Sequence, residues 1–313
     1  MAKHNFVILN GYVSKNPKIL KDEGTGEYVR GICTITVIRG VRDFGNNIDH
    51  IKYDSPIIMS GNPDIIKIMD EWKEGDMVEI KGSITTKDVT KSTKCTHCGH
   101  VNKRKGNVVY VNPIYVSTRE RNLAQNEAIA LLKQRCEVSN QVTVIGPVCR
   151  EPVLYKTEKG LSITTYQLAV RRKYRIKDDN PDTKTDFPWV KSYGSIANND
   201  AKVIKKGTYI FLDGMLQTRK LEREQVCEKC EEVYNWSDSA MEIVPYATEY
   251  LRDYYTEEEI KAKQLAEGRK AAESVLNESE IDSIRPSDKP EYDESIYEDK
   301  HSYSDDTSDV LND

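Results

Sequence analysis

The chain has 313 residues, of which 38% are hydrophobic and 31% charged, with a mean hydropathy of −0.65. This length allows two domains but is marginal for three, and the sequence has no run of the ~18 consecutive apolar residues that a membrane-spanning helix needs, so an integral membrane protein is excluded. The formal net charge of −5 argues against a nucleic-acid partner only if the charge is evenly distributed, and it is not.

The first half of the chain reads as a series of short β-strands. It starts without an apolar signal segment or cleavage site, so we expect a cytoplasmic protein with no membrane partner. Gly11 interrupts the first strand, as a bulge or barrel bend would. A helical or coil stretch and a polar, cysteine-bearing excursion fall between later strands. The predicted strands are 5–13, 27–39, 77–86 and 108–116, and the helical stretch is 65–73.

The second half repeats the first. At a fixed offset of 132, glycine, cysteine and proline positions recur without a gap, and further upstream the offset becomes 135. Their collinearity indicates a tandem duplication. The matched pairs are Gly75/Gly207, Gly82/Gly214, Cys95/Cys227, Cys98/Cys230, Pro113/Pro245, Arg39/Arg171 and, at the larger offset, Asn5/Asn140, Gly11/Gly146 and Pro17/Pro152.

Two further segments have a helical pattern. Residues 120–136 join the repeats, and residues 256–275 follow the second one, where Thr256 and Glu259 form a capping-box pattern. Five short strands with a helix between the third and fourth are the order of an OB-fold, a Greek-key barrel. We therefore predict a mainly β protein with two tandem five-stranded OB-fold barrels, each with a short helix and a Cys-x-x-Cys hairpin insertion. The predicted units are barrel 1 at 1–118, a helical linker at 119–138, barrel 2 at 139–255, a helix at 256–277 and a disordered acidic tail at 278–313.

The negative charge is concentrated in that tail. Residues 278–313 contain 13 acidic and three basic residues, a net charge of −10, so the remainder carries +5. Leu311 is the only Phe, Trp or Leu there, so the segment cannot bury enough apolar surface to offset its conformational entropy. Such a run is either a solubilising tail or an interaction tail that competes for a basic groove or recruits partners.

The second repeat contains cations interleaved with aromatic residues. Single strands bind in basic grooves where bases stack on aromatic faces, although half-buried strand aromatics beside a solvated face are the alternative. These candidates are Arg171, Arg172, Lys173, Tyr174, Arg175, Phe187, Trp189, Lys191 and Tyr193.

Three stretches of this repeat, 169–175, 185–197 and 205–221, resemble the bacterial single-stranded DNA-binding protein family, although Leu221 stands where that family usually has an aromatic residue. The resemblance implies base stacking on Tyr174, Phe187 and Tyr193. It extends the candidate set to Arg219 and Lys220 and, through the duplication, to Arg39, Tyr53 and Lys87. The family assembles four barrels, which implies a homodimer of this tandem chain, and its acidic tail recruits other proteins.

Four of the seven cysteines form two Cys-x-x-Cys pairs, Cys95/Cys98 and Cys227/Cys230. A closed structural zinc site needs four ligands. The first pair could add His97 or His100, but no histidine lies near the second pair, so we predict one four-thiolate zinc site that joins the two repeats or two chains. A redox dithiol or vestigial pairs are the alternatives.

The leading hypothesis is thus a non-enzymatic protein that binds single-stranded DNA with little sequence preference, in replication, recombination or repair. Its acidic tail would bind replication or repair proteins. One alternative is an RNA-binding OB-fold protein, because stacking and phosphate contacts do not exclude RNA. The other is a zinc-dependent nucleic-acid enzyme, which an all-cysteine ligand set disfavours because it leaves no open position on the metal.

Overall fold

The computed structural model describes residues 3–39, 51–134, 139–174, 176 and 185–278, with side chains described up to residue 270. The predicted tail beyond Glu278 therefore lies outside the described residues. The fold is mainly β, as the sequence predicts. Thirteen strands form one continuous sheet that runs through both repeats, and two short strands of the second repeat form a separate pair.

The first repeat has long strands at its centre and short ones at its edge. Its elements are β1 (His4–Val13), β2 (Lys18–Lys21), β3 (Tyr28–Ile38), β4 (Tyr53–Asp54), β5 (Ile57–Ser60), α1 (Pro63–Asp70), β6 (Met77–Lys94) and β7 (Val101–Glu120). Helix α1 starts where the Asn62 side chain accepts a hydrogen bond from Asp64 N, with Pro63 in the first turn. Its residues Ile65, Ile66 and Met69 are buried against the barrel.

The joining helix is α2 (Gln125–Gln134), shorter than the predicted 120–136 because β7 continues to Glu120. Ala128 and Leu132 pack against Tyr12, Ile38 and Met77 of the first repeat. The linker is therefore held against the first barrel.

The second repeat follows the same order. Its elements are β8 (Asn140–Pro147), β9 (Val153–Lys156), β10 (Ser162–Gln167), β11 (Val170–Arg171), β12 (Thr185–Asp186), β13 (Trp189–Tyr193), α3 (Gly194–Val203), β14 (Tyr209–Val226) and β15 (Val233–Arg252). Helix α4 (Glu257–Glu278) follows, and Thr256 and Glu259 exchange the hydrogen bonds of the predicted capping box.

The duplication is visible in the strand register. The parallel pair Ile58↔Val111 in the first repeat corresponds at an offset of 132 to Val190↔Ile243 in the second. Each barrel closes where its first strand meets its third, at Val13↔Ile35 and at Val148↔Leu168. Gly11 and Gly146 lie at these closures because a Cβ there would approach a carbonyl oxygen of the facing strand to within 2.5 and 2.2 Å.

The two repeats join edge to edge about a pseudo-two-fold axis. Strand β1 pairs antiparallel with β8, so that Asn5 opposes Val144 and Leu9 opposes Asn140. Across the joint, Asp186 accepts a 2.8 Å hydrogen bond from Thr86 N, and Asp54 accepts a 2.7 Å bond from Thr218 N. Each repeat thus supplies a buried carboxylate that accepts a hydrogen bond from a backbone N–H of the other repeat.

The cysteine-bearing insertions are hairpins, as the sequence predicts, but their strands are longer than expected. Strand β6 runs well past its predicted end at residue 86. Strands β6 and β14 are 18 residues long each and pair with 20-residue partners to form two long hairpins. The hairpins pack on each other and bury Thr93, Asn102 and Tyr234. The burial of these side chains cannot be predicted from the sequence of one polar strand, because the residues that bury them come from the other repeat.

Asp200 on α3 is a buried carboxyl in the second barrel. It accepts hydrogen bonds from the hydroxyls of Tyr250 at 2.7 Å and Tyr166 at 3.2 Å. Burial raises the pKa of Asp200 above its usual 3.8, against hydrogen bonds from Tyr250, Ser192 and Tyr166 that lower it. Because the folded-state pKa exceeds the unfolded one, ionisation of Asp200 reduces stability, and this loss appears as the pH rises above about 4.

We therefore expect the Asp200→Asn variant to gain free energy of unfolding relative to the wild type as the pH rises from about 4 to 7. The gain is about 1.4 kcal/mol for each unit by which folding raises the pKa. Urea denaturation at several pH values measures it, with the exposed Asp88→Asn as the control whose difference stays constant. Parallel stability curves for Asp200→Asn and the wild type would contradict the prediction.

Candidate functional site

The second repeat presents an aromatic surface on the outer face of its sheet. Trp189, Lys191 and Tyr193 alternate along β13 and point away from the core, which contains Val190 and Tyr166. Strand β10 pairs with β13 on one side and with β9 on the other, which brings Tyr155 onto the same face. We call Tyr155, Trp189 and Tyr193 the stacking platform.

The platform side chains are held in place yet accessible. Tyr155 is 40% exposed and Trp189 36%. The Arg150 guanidinium lies 5.5 Å from the centroid of the Trp189 ring, and the Tyr193 hydroxyl donates to Gln217 Oε1 at 3.2 Å. A ring with one face open to solvent and its orientation fixed can stack on a base without first losing conformational freedom.

Two further predicted aromatics extend this surface. Tyr174 is 49% exposed and Phe187 45%. The backbone N–H of Phe187 donates to the Thr86 hydroxyl at 3.0 Å, so this ring is anchored at the base of the hairpin that belongs to the first repeat.

Three predicted cations form ion pairs with carboxylates. Arg172 is buried, with its Nε 2.7 Å from Asp186 Oδ2. Arg39 forms two bonds to Asp54, and Arg219 forms two to Glu242. The sequence does not predict these ion pairs, because the carboxylates lie on other strands, and contact of these three residues with phosphates stays a prediction.

Lys191 lies on the same outer face but is buried there, and its ammonium lies 5.9 Å from the centroid of the Tyr155 ring. It therefore packs among the platform rings, and its predicted contact with phosphate stays a prediction.

The remaining candidates are more accessible. Arg171 and Lys173 are exposed, Lys220 is exposed on the second hairpin, and Lys87 is partly buried at the base of the first. Tyr53 is 37% exposed in the first repeat. Arg175 lies outside the described residues. The sequence does not predict Tyr155 or Arg150 as site residues, because both lie outside the run of basic and aromatic residues at 171–193.

In the part of the first repeat that the structure describes, there is no equivalent platform. Its corresponding positions place Leu20 where the second repeat has Tyr155, Ile57 for Trp189, Met59 for Lys191 and Gly61 for Tyr193. Leu20 is 56% exposed, so this face is open, but it offers no ring to a base. The two barrels share a scaffold and differ in their surfaces.

The four predicted cysteine ligands meet at the ends of the two long hairpins. Cys95 Sγ lies 3.7 Å from Cys230 Sγ, Cys98 Sγ lies 3.6 Å from Cys227 Sγ, and all four sulfurs lie within 4.8 Å of one another. Four sulfurs at ~2.3 Å from a tetrahedral zinc would stand ~3.8 Å apart. The set can therefore hold a metal, and it joins the two repeats of one chain.

The surroundings favour the thiolate at Cys227 but not at Cys230. Burial raises the pKa of the Cys227 thiol, but hydrogen bonds from Cys230 N, Lys229 N and the Asn102 amide outweigh it and lower the pKa from 9.0 to about 6. Asn102 also donates to the Tyr234 hydroxyl at 2.9 Å and accepts from Glu228 N at 3.0 Å. A hydrogen bond from Glu232 N lowers the pKa of Cys230, but burial and hydrogen bonds with Cys98, Cys227 and Cys95 outweigh it and raise the pKa to about 12. His97 and His100, the local alternative, lie outside the cluster.

Comparisons with known proteins find a family match in the repeat that carries the platform. The sequence model of the single-strand binding protein family matches residues 139–236, the repeat that carries the platform. A single-stranded DNA-binding protein of Staphylococcus epidermidis is 30% identical over 95 residues, which are 30% of this chain and 70% of that protein. Single-stranded DNA-binding protein A of Bacillus subtilis is 33% identical over 86 residues, 28% of this chain and 49% of that protein.

A solved structure matches at the level of the fold. The wild-type single-stranded DNA-binding protein of Thermus aquaticus superposes with a TM-score of 0.52 and 14% identity, over 82% of this chain and 97% of that one. This likeness confirms the predicted fold class. Among the described residues, no helix is long and apolar enough to cross a membrane.

Proposed function

The chain belongs to the single-strand binding protein family, and from this premise we propose that it binds single-stranded DNA and catalyses no reaction on it. The stacking platform is the observation that carries the proposal. Exposed Tyr155 and Trp189 and half-buried Tyr193 share one sheet face, and these rings, with exposed Phe187 and Tyr174, provide base contacts that tolerate any sequence. Exposed Arg171 and Lys173 provide contacts to phosphates.

We place this activity in the protection of exposed strands during DNA replication, recombination or repair, in the cytoplasm. The acidic segment 278–313 supports a further role, because a net charge of −10 competes with phosphates for cations and can recruit replication or repair proteins.

The platform predicts a specific loss of affinity. In fluorescence anisotropy with labelled oligo-dT, Trp189→Ala weakens binding by ~5- to 150-fold, the equivalent of about 1–3 kcal/mol for one lost stacking contact. The matched change in the first repeat, Ile57→Ala, alters affinity less than twofold. We also expect DNA to quench tryptophan fluorescence through Trp189, because Trp72 is buried and Trp236 packs within the hairpins.

Three results would contradict this proposal: no salt-sensitive binding of oligo-dT by the wild type, equal losses in Trp189→Ala and Ile57→Ala, or tighter binding of a matched RNA oligomer. In the same titration, a chain that ends at residue 277 binds more tightly at low salt if the acidic segment competes for the site.

We propose that the four cysteines bind one structural zinc ion. The spacing of the sulfurs and their closed, four-thiolate donor set support it, since such a set leaves no position for a substrate. When bound, zinc would hold Cys95 and Cys98 of one hairpin to Cys227 and Cys230 of the other, and so fix the two repeats at their far end.

Purified wild-type protein is therefore expected to contain one zinc per chain by elemental analysis. Cys98→Ser and Cys227→Ser each lose the metal and lower the melting temperature, because a structural site contributes its binding energy to folding. Cys149→Ser, outside the cluster, keeps it. A wild-type protein that is zinc-free and unaffected by chelators would show that the cysteines bind no metal.

We further propose a homodimer, which restores the four barrels of the family's assemblies. The surface that supports it is the outer face of the central strands, where half-buried apolar residues from both repeats lie together across the β1–β8 joint. These residues are Phe6, Ile8, Ile145 and Phe211.

Light scattering is expected to give a mass of about twice the 35.8 kDa of one chain. Phe6→Glu combined with Ile145→Glu reduces this to one chain and leaves oligo-dT affinity per platform unchanged. Leu20→Glu, on the exposed face of the first repeat, keeps the dimer. A monomeric wild type, or dissociation by Leu20→Glu alone, would reject the proposed interface.

A further inference from the structure

The two long hairpins form a single arm. The first hairpin (87–108) and the second (219–240) contact each other through the 2.6 Å ion pair of Lys91 with Asp238 and the 2.7 Å hydrogen bond between the Thr93 and Tyr234 hydroxyls. The inner face of each hairpin is used by these contacts. The outer faces point to solvent, because successive side chains of a strand alternate.

The outer face of the first hairpin carries a row of three lysines, Lys94, Lys103 and Lys105. The register places Lys94 opposite Val101, Lys103 opposite Ser92 and Lys105 opposite Thr90, all on the face away from buried Thr93 and Asn102. All three lysines are exposed, and within the described residues none forms an ion pair with a carboxylate. Lys103 and Lys105 are ~7 Å apart along the strand, as alternate residues are.

The second hairpin lacks this row. The positions equivalent at an offset of 132 are Val226, Asn235 and Ser237, and the same face carries Glu222 and Glu224. Since both hairpins keep the same ladder and the same cysteines, the lysines are not needed to build the arm. They are a surface property of the first hairpin alone.

The lysine row lies further out on the hairpin that begins beside Phe187: its nearest member, Lys105, is opposite Thr90, four residues or ~13 Å beyond Thr86. Phe187 is held at the base of the first hairpin by its bond to the Thr86 hydroxyl, and Thr86 immediately precedes Lys87. A strand that stacks on the second repeat and passes Phe187 therefore meets the first hairpin next. The barrel of the first repeat does not compete for it, because Leu20, Ile57 and Met59 replace the aromatic and cationic residues.

We propose that the row Lys94, Lys103 and Lys105 is a second contact site for the single strand bound by the stacking platform, and that it binds phosphates only. The inference rests on the proposed function. Regularly spaced ammonium groups without neighbouring rings or a pocket suit a repeating phosphate backbone and carry no base readout. The first repeat thus contributes to binding through its hairpin and not through its barrel.

The test compares the wild type with the triple variant Lys94→Gln, Lys103→Gln and Lys105→Gln. Salt titrations use two probes: a dT oligomer of ~8 nucleotides, which fills the platform, and one of ~30 nucleotides, which also reaches the arm. The triple variant binds the short probe as the wild type does. For the long probe its plot of log affinity against log salt is less steep by about 2, since each phosphate contact on single strands contributes about 0.7.

The matched control is Lys67→Gln, Lys261→Gln and Lys270→Gln, which removes the same charge from exposed positions on α1 and α4. It leaves the long-probe slope unchanged. An equal decrease in both triple variants would show a general field effect and overturn the second site, as would an unchanged slope in the hairpin variant. If the hairpin variant no longer changes the salt slope in a chain that ends at residue 277, the lysine row acts by binding the acidic segment. That result would also overturn the proposed second site.

The two proposals fail in different ways. A wild type that binds neither probe refutes single-strand binding itself. A wild type that binds both probes, with a hairpin variant that matches it on both, refutes only the lysine row. Zinc content and the circular dichroism spectrum confirm that the variant arm is folded.

Discussion

The antiparallel pairing of β1 with β8 is the constraint on which the rest of this molecule depends. It turns two edge strands into the centre of one sheet, so that neither barrel presents an unpaired edge there. The joint is secured by the reciprocal bonds of Asp54 and Asp186 to the backbone of the opposite repeat. A buried carboxylate without such a partner would be costly, so each barrel is complete only in the presence of the other. This fixed relation sets the two hairpins side by side.

The arm that results cannot rely on a core of its own. A two-stranded ribbon is marginally stable in water. Here two ribbons pack through Thr93, Asn102 and Tyr234, and the four sulfurs gather at their ends. The knuckle turns are alike, with Gly99 at φ 72° and Glu231 at φ 59° in the left-handed region. The second turn uses a residue that is strained there, which is consistent with a turn held by its cysteine contacts and not by its own preference.

Part of this arrangement could be predicted from the sequence. The repeat offset gave the barrel order and correctly grouped Cys95 and Cys98 with Cys227 and Cys230, because a duplication preserves spacing. The roles of Arg172, Arg39 and Arg219 could not be predicted, since a cation next to aromatic residues looks the same whether its carboxylate partner is absent or lies on a distant strand. Tyr155 was missed for a related reason: only the pairing of β9 with β10 brings it beside β13. Local composition identifies residue types, and tertiary pairing decides which of them are free to bind.

After the duplication, positions that build the scaffold and positions on the surface diverged to different extents. Positions that build the scaffold kept their chemistry: Asn5 and Asn140 each bond to the backbone of a facing strand, at Ile84 and Leu216, with the same pair of contacts. Positions on the outer faces differ between the repeats: Trp189 corresponds to Ile57, and Lys103 corresponds to Asn235. The platform rings therefore lie on one barrel and the lysine row on the hairpin of the other, and Phe187 bonds to the base of that hairpin at Thr86. The body of the chain carries +5, and the −10 of the acidic segment accounts for the misleading overall figure of −5.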